Sequence, residues 1–322
     1  MTARTGVSRR TLWTVVQALL LVATLAWAAI ALSRQWSAVR ESFMHAHIAW
    51  SWIALASLIV LATYAMLIQS WRLLLAGWGG VLPYGSAVRI WTIANLGRYL
   101  PGKFWSVGAL GVLAQREGVS GVAAAGAAIL GTLLNIGAGF GIMALSGTRV
   151  LGVFKPWLQP VAVGISLAFV VGTLLLPVLL PPVLNRLARW RGLPPHDQHL
   201  PPATLWIATG INAVSWVCYG LAFAAFTKGI APQVTASPFL FIVVWTASYV
   251  GGYLVLYAPG GIGVREVVLS GGLVSLGLAG AGDAALLAVA SRAWLTVWEI
   301  LPGLLALLLS PMSARAVTGR TR

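Results

Sequence analysis

Long apolar runs separated by short polar joints organise this chain. Six of them, Thr11–Leu32, Trp50–Gln69, Val119–Ser146, Trp157–Leu180, Ala203–Phe226 and Asp283–Leu309, reach roughly the 20 residues a helix needs to cross a bilayer. They predict six spanning helices. Two further apolar stretches are interrupted midway. Ala87–Tyr99 and Phe104–Gln115, about 13 and 12 residues, flank Pro101-Gly102. Phe239–Tyr257 and an arm opening at Val264 flank Ala258-Pro259-Gly260-Gly261-Ile262-Gly263. The short arms of the first, and the same pattern of arm, breaker and arm in the second, predict two re-entrant helical hairpins turning at Pro101, Gly102, Pro259, Gly260 and Gly261. If the hairpins cross fully, the count becomes eight hydrophobic helices.

A hairpin tip at membrane depth has backbone groups that only protein or a water-filled cavity can cover, so a tip implies a cavity. Arg98 closes the first arm and Lys103 opens the second, which points both cations into that cavity, where charge is expensive and functional. The competing reading is an amphipathic elbow at the interface, with both side chains snorkelling to headgroups.

The order is span, span, hairpin, span, twice over. With both termini cytoplasmic, eleven cations (Arg4, Arg9, Arg10, Arg72, Arg116, Arg186, Arg189, Arg191, Arg315, Arg320, Arg322) lie inside and five (Arg34, Arg40, Arg149, Lys155, Lys228) outside, as the positive-inside rule requires. One unit then starts inside and the other outside. This predicts a single integral membrane domain built as an inverted repeat, 11–146 and 156–309, with a basic cytoplasmic tail at 310–322. Trp91-Thr92 before the first breaker and Trp245-Thr246 before the second echo one another.

Composition narrows the class. Hydrophobic residues make up 59% and charged residues 8% of 322, with mean hydropathy +0.89, so a polytopic helical membrane protein is expected and no connection is long enough for a soluble core. The net charge of +15 has no basic and aromatic cluster beside it, which favours anionic lipid headgroups over nucleic acid. Cys218, the single cysteine, lies in an apolar run and excludes an internal disulfide. Ser8-Arg9-Arg10 imitates a signal sequence, but the run behind it exceeds a signal's 7 to 15 apolar residues, so it is read as an uncleaved span. Gly137-xxx-Gly141 and the series Ala127, Gly131, Asn135 predict close helix packing, with Asn135 available for an interhelical hydrogen bond.

The candidate substrate-binding residues are Arg98, Lys103, Arg265, Glu266, Arg292 and Glu299. Arg292 and Glu299, two turns apart, share one face of the last span. The natural pairs are Glu266 with Arg292, and Glu299 with Arg265 or Arg98. Four cations against two carboxylates suggest a site for an anion such as a lipid phosphate. Arg98 and Lys103 are read as its first holders, with Arg98 surplus to the carboxylates, and Arg265 as the receiver at the second breaker. His196 and His199 have metal-like spacing without further ligands, so no metal and no cofactor is expected. Neither a nucleophile with its base nor a carboxylate dyad is present, so no enzyme is expected.

Gly97-Arg98-Tyr99-Leu100-Pro101-Gly102-Lys103 and Ala258-Pro259-Gly260-Gly261-Ile262-Gly263-Val264-Arg265-Glu266 resemble the lysylphosphatidylglycerol synthase transmembrane family, the flippase-like region of the multiple peptide resistance factor, which also occurs alone. The resemblance implies translocation of an anionic, aminoacylated or otherwise lipid-linked substrate between leaflets of the inner membrane. The aminoacyltransferase domain of the full-length factor is not in this sequence, so lipid aminoacylation is not carried over. Two other functions are open: a non-transporting membrane subunit docking a separate lipid-modifying enzyme or glycosyltransferase, and transport of an ion or solute.

Overall fold

The structure, a computed structural model, describes residues 48–99, 104–145, 159–190, 200–255 and 261–309. Among these the elements are nine α-helices and one 3-10 turn, with no strand. They are α1 (Trp50–Gly77), α2 (Tyr84–Asn95) followed by the 3-10 turn Leu96–Tyr99, α3 (Phe104–Arg116), α4 (Gly121–Leu145), α5 (Gln159–Trp190), α6 (Pro202–Ile230), α7 (Pro238–Leu254), α8 (Val264–Ser275) and α9 (Ala281–Leu309). The expected span Thr11–Leu32, the basic tail, Lys103, His196 and His199, and the breakers Pro101, Gly102, Pro259 and Gly260 lie outside the described residues.

Among the described residues, α1, α4, α6 and α9 are long and apolar enough to cross a membrane. Their exposed faces carry large aliphatics such as Leu58, Leu133, Val214 and Leu308, the surface a lipid-embedded helix presents.

Two helices run further than their apolar runs suggest. Trp50–Gln69 continues through Leu73-Leu74-Leu75, good helix formers, until Gly77 and the glycine turn at Gly79, whose φ is 76°. Arg72 thus lies inside α1 and folds back, donating from Nε and Nη2 to the Leu82 carbonyl at 3.0 and 2.9 Å. The run ending at Leu180 does not stop at Pro181-Pro182. Each proline removes one ladder bond without ending the helix, and Leu184 to Trp190 resumes helical propensity, so Arg186 and Arg189 belong to α5 rather than to a loop.

Packing follows a reciprocal pattern. α1 lies along α6. The hairpin arm α2 packs on α9, and α7 packs on α4; the second arms α3 and α8 pack on α4 and α9. Glycines set the closest approaches: a Cβ on Gly303 would lie 2.7 Å from the Thr92 carbonyl, and one on Gly220 would overlap the backbone of Ile242. Gly137 and Gly141 face Thr173 and Val170 of α5. Asn135 makes the interhelical bond its position suggested, donating to Asn212 Oδ1 at 2.9 Å, while Asn212 donates to Ser70 at 3.0 Å.

Candidate functional site

The first hairpin reaches the site through its 3-10 turn. Gly97 allows the tightening, since any Cβ there would lie 3.0 Å from the Ser106 amide nitrogen of the returning arm, and Leu100 before Pro101 disfavours further helix. The turn delivers Arg98 to α9, where its Nη1 donates to Glu299 Oε1 at 2.7 Å. Glu299 is 3% exposed. Gly303, one turn further along α9, lets the turn and α2 approach closely enough for the pair to form.

After the second breaker, α8 starts behind Gly263, whose φ of 86° is open to glycine. Its backbone N–H donates to Glu266 Oε2 at 2.6 Å, which starts α8 and anchors the carboxylate. The other oxygen, Oε1, lies 3.5 Å from Arg292 Nε on α9. Both hairpins are therefore clasped to α9 by ion pairs two turns apart.

Arg265 diverges from Glu266 and has no carboxylate partner among the described residues. Its stem passes between Gly252 and Gly261, where a Cβ would lie 2.6 and 3.2 Å from its Cγ. Its guanidinium rests 3.2 Å from the Tyr249 ring centroid and 5.7 Å from that of Trp245, an attraction between cation and ring face. Only 6% of the residue is exposed.

These positions sort the sequence-derived candidates. Glu266 pairs with Arg292, and Glu299 takes Arg98 rather than Arg265. The reading of Arg98 as surplus is corrected: it is the cation that pairs with Glu299, the most deeply buried carboxylate among the described residues, because the close approach at Gly303 brings the turn within hydrogen-bond reach of α9. Of the candidate cations among the described residues, Arg265 is the one without a carboxylate. Lys103 lies outside the described residues.

Three features were not anticipated. Arg89 and Ser86 on α2 bind Glu117 just past α3, tying together the arms of the first hairpin at the end away from its tip. Gly252 cradles Arg265; its signal was a second glycine one helical arm before the breaker. An aromatic wall joins Tyr64, Trp91, Trp216, Tyr219 and Tyr249, with ring centroids 5.5 to 6.3 Å apart between neighbours. Trp245 and Tyr249, one turn apart in α7, could have announced its edge.

Trp245, Ser248, Arg265, Glu266, Leu269, Ala288, Ser291 and Arg292 line a narrow pocket between α7, α8 and α9, with room for about one water molecule. This arrangement can hold an anion by charge and hydrogen bonds. Among the described residues, no group of three His, Cys, Asp or Glu side chains is placed to hold a metal ion.

A comparison with curated proteins gave no match. Residues 14–303 match the family described as the lysylphosphatidylglycerol synthase TM region. With that match over most of its length, together with four membrane-length helices, the chain belongs to the lysylphosphatidylglycerol synthase transmembrane-region family and is a membrane protein.

Proposed function

We propose that this protein translocates an anionic, aminoacylated or otherwise lipid-linked substrate between leaflets of the inner membrane, and that it is a transporter without catalytic chemistry. The observation that carries the reading is Arg265, a cation buried without a carboxylate partner among the described residues, beside a pocket where two hairpins meet one helix. A buried charge of this kind is costly and marks substrate pathways.

The reciprocal packing of α2 on α9 and α7 on α4 supports an inverted repeat. At 1.5 Å per residue, α3 and α8 extend about 20 and 18 Å, short of a hydrocarbon core of about 30 Å, which supports re-entrant hairpins. On this reading both termini face the cytoplasm. The headgroup enters past Lys103 and passes to Arg265, while Arg98 and Glu299 gate the path by parting.

A second reading, a non-transporting subunit that scaffolds a lipid-modifying enzyme or glycosyltransferase, is favoured by the pairing of Arg98 with Glu299 and Arg292 with Glu266, which could simply lock helices together. Reconstitution in liposomes containing a fluorescent anionic phospholipid, followed by dithionite quenching, separates the two. Quenching of more than the outer-leaflet half of the dye supports translocation, and quenching that stops at half, as in protein-free liposomes, supports the scaffold.

A further inference from the structure

The pocket between α7, α8 and α9 contains hydrogen-bond donors with nothing to bond. Trp245 Nε1, Arg265 Nε and Arg292 Nη2 are buried and have no acceptor among the described residues; the buried Glu266 Oε1 beside them, 3.5 Å from Arg292 Nε, likewise makes no hydrogen bond. Trp245 is 1% exposed and Arg265 6%. Buried donors left unpaired are rare and demand an explanation. The two pocket serines do not answer it. Ser248 Oγ donates to the Trp245 carbonyl at 2.7 Å and Ser291 Oγ to the Ala288 carbonyl at 3.2 Å, so both direct their hydrogens into their own helices.

Charge points the same way. Two guanidinium groups face one carboxylate, leaving one positive charge over, and that carboxylate is anchored at Oε2 by the Gly263 amide. A single water molecule accepts about two hydrogen bonds and brings no charge, so it can satisfy neither all three donors nor the excess cation. A monoanion with two free oxygens can do both.

We infer that Trp245, Arg265 and Arg292 form a seat for a monoanionic phosphate, the phosphodiester of a glycerophospholipid or free dihydrogen phosphate. The inference rests on the translocation reading only in naming the lipid as a source; binding itself does not require transport. The Arg265 part of the seat is preorganised. Gly252 and Gly261 grip the Arg265 stem and the Tyr249 face holds its guanidinium plane, so little side-chain freedom is lost when the anion arrives. The pocket as it stands admits only about one water, and the phosphate enters as α8 moves from α9 and the 3.5 Å Arg292–Glu266 contact opens.

The test uses the full chain in uncharged detergent, with thermal unfolding titrated by dihexanoyl phosphatidylglycerol, sodium phosphate or dihexanoylglycerol, since ligand binding to the folded state raises its stability. Saturable stabilisation by the phosphatidylglycerol is expected. Trp245→Phe, which keeps an aromatic ring and removes one N–H, should weaken apparent affinity about tenfold, and Arg265→Gln at least as much, the usual loss for a hydrogen bond to a charged group. Without ligand, Trp245→Phe should melt somewhat lower, because the smaller ring leaves a gap in a buried position stacked on Phe223, so the seat is read from the change in apparent affinity and not from the unliganded melting point.

Stabilisation by phosphate alone, in competition with the lipid, would assign the seat to the free ion; stabilisation by the lipid alone would assign it to the headgroup. Equal stabilisation by dihexanoylglycerol, no stabilisation by any probe, or unchanged affinity in both variants overturns the seat. Binding that follows these expectations in a protein that moves no lipid would defeat translocation and leave the seat standing. Normal lipid movement with no phosphate binding would do the reverse.

Discussion

Replacing Arg98 by Gln withdraws the cation from Glu299, whose side chain is 2% exposed, while the Arg98 side chain is 29% exposed. Breaking a buried ion pair from one side costs about 3 to 5 kcal/mol because a buried charge is left uncompensated. Partial exposure of Arg98 lowers this to about 2 to 3 kcal/mol, since solvent already weakens the bond it makes. Glu299→Gln should cost less, about 1 to 2 kcal/mol, because the guanidinium left behind keeps some access to water and the new amide still accepts one hydrogen bond. The double variant replaces the pair by two amides that can bond each other and should lose well under the sum of the two, a coupling of about 2 kcal/mol. Melting of purified protein would read Arg98→Gln as a fall of about 5 °C, using about 2 °C per kcal/mol for a chain of this size. Additive losses, or an Arg98→Gln variant that melts like the wild type, would refute the claim that this pair fastens the first hairpin to α9.

Other consequences can be checked in the same preparation. Gly220→Ala should sharply reduce folded yield, since its Cβ would meet the Ile242 backbone, whereas Gly210→Ala, with nothing within 4 Å, should be neutral or stabilising by up to about 1 kcal/mol. Asn135→Ala, which removes the bond to Asn212, should cost about 0.6 to 1.7 kcal/mol by SDS unfolding, the range for hydrogen bonds between membrane helices. The Arg89–Glu117 pair is more exposed, and Glu117→Gln should change the stability read from melting by less than about 1 kcal/mol. For topology, cysteines near Lys228 in a Cys218→Ser background should label from outside and those near Arg189 should not; the opposite pattern would sink the inverted repeat.

The pairing of Glu266 with Arg292 was legible because two kinds of local spacing constrain it: Glu266 opens a helix after a glycine breaker, and Arg292 and Glu299 share one face of a single helix. The partner of Glu299 was not. Arg98 and Arg265 both sit beside breakers, and the choice between them depends on Gly303 admitting the first hairpin across 201 residues of sequence separation, a close approach no local pattern records. Likewise, counting charges showed a surplus of cations but not that Arg265 belongs to it, because Arg265 is held by ring faces and a glycine cradle rather than by an opposite charge. Helix ends failed where apolarity was used to place them: Arg72 and Arg186 are polar side chains on helices that continue through them.

The measurement that bears most directly on translocation is the rate of dye-lipid exchange in liposomes carrying Arg265→Gln, normalised to folded protein, beside the wild type. Arg265 has no carboxylate partner among the described residues, so its loss strands none of them and folding should survive while exchange falls at least tenfold, the weight of one lost charge-assisted contact. Wild-type exchange that is unaltered in well-folded Arg265→Gln would contradict the account.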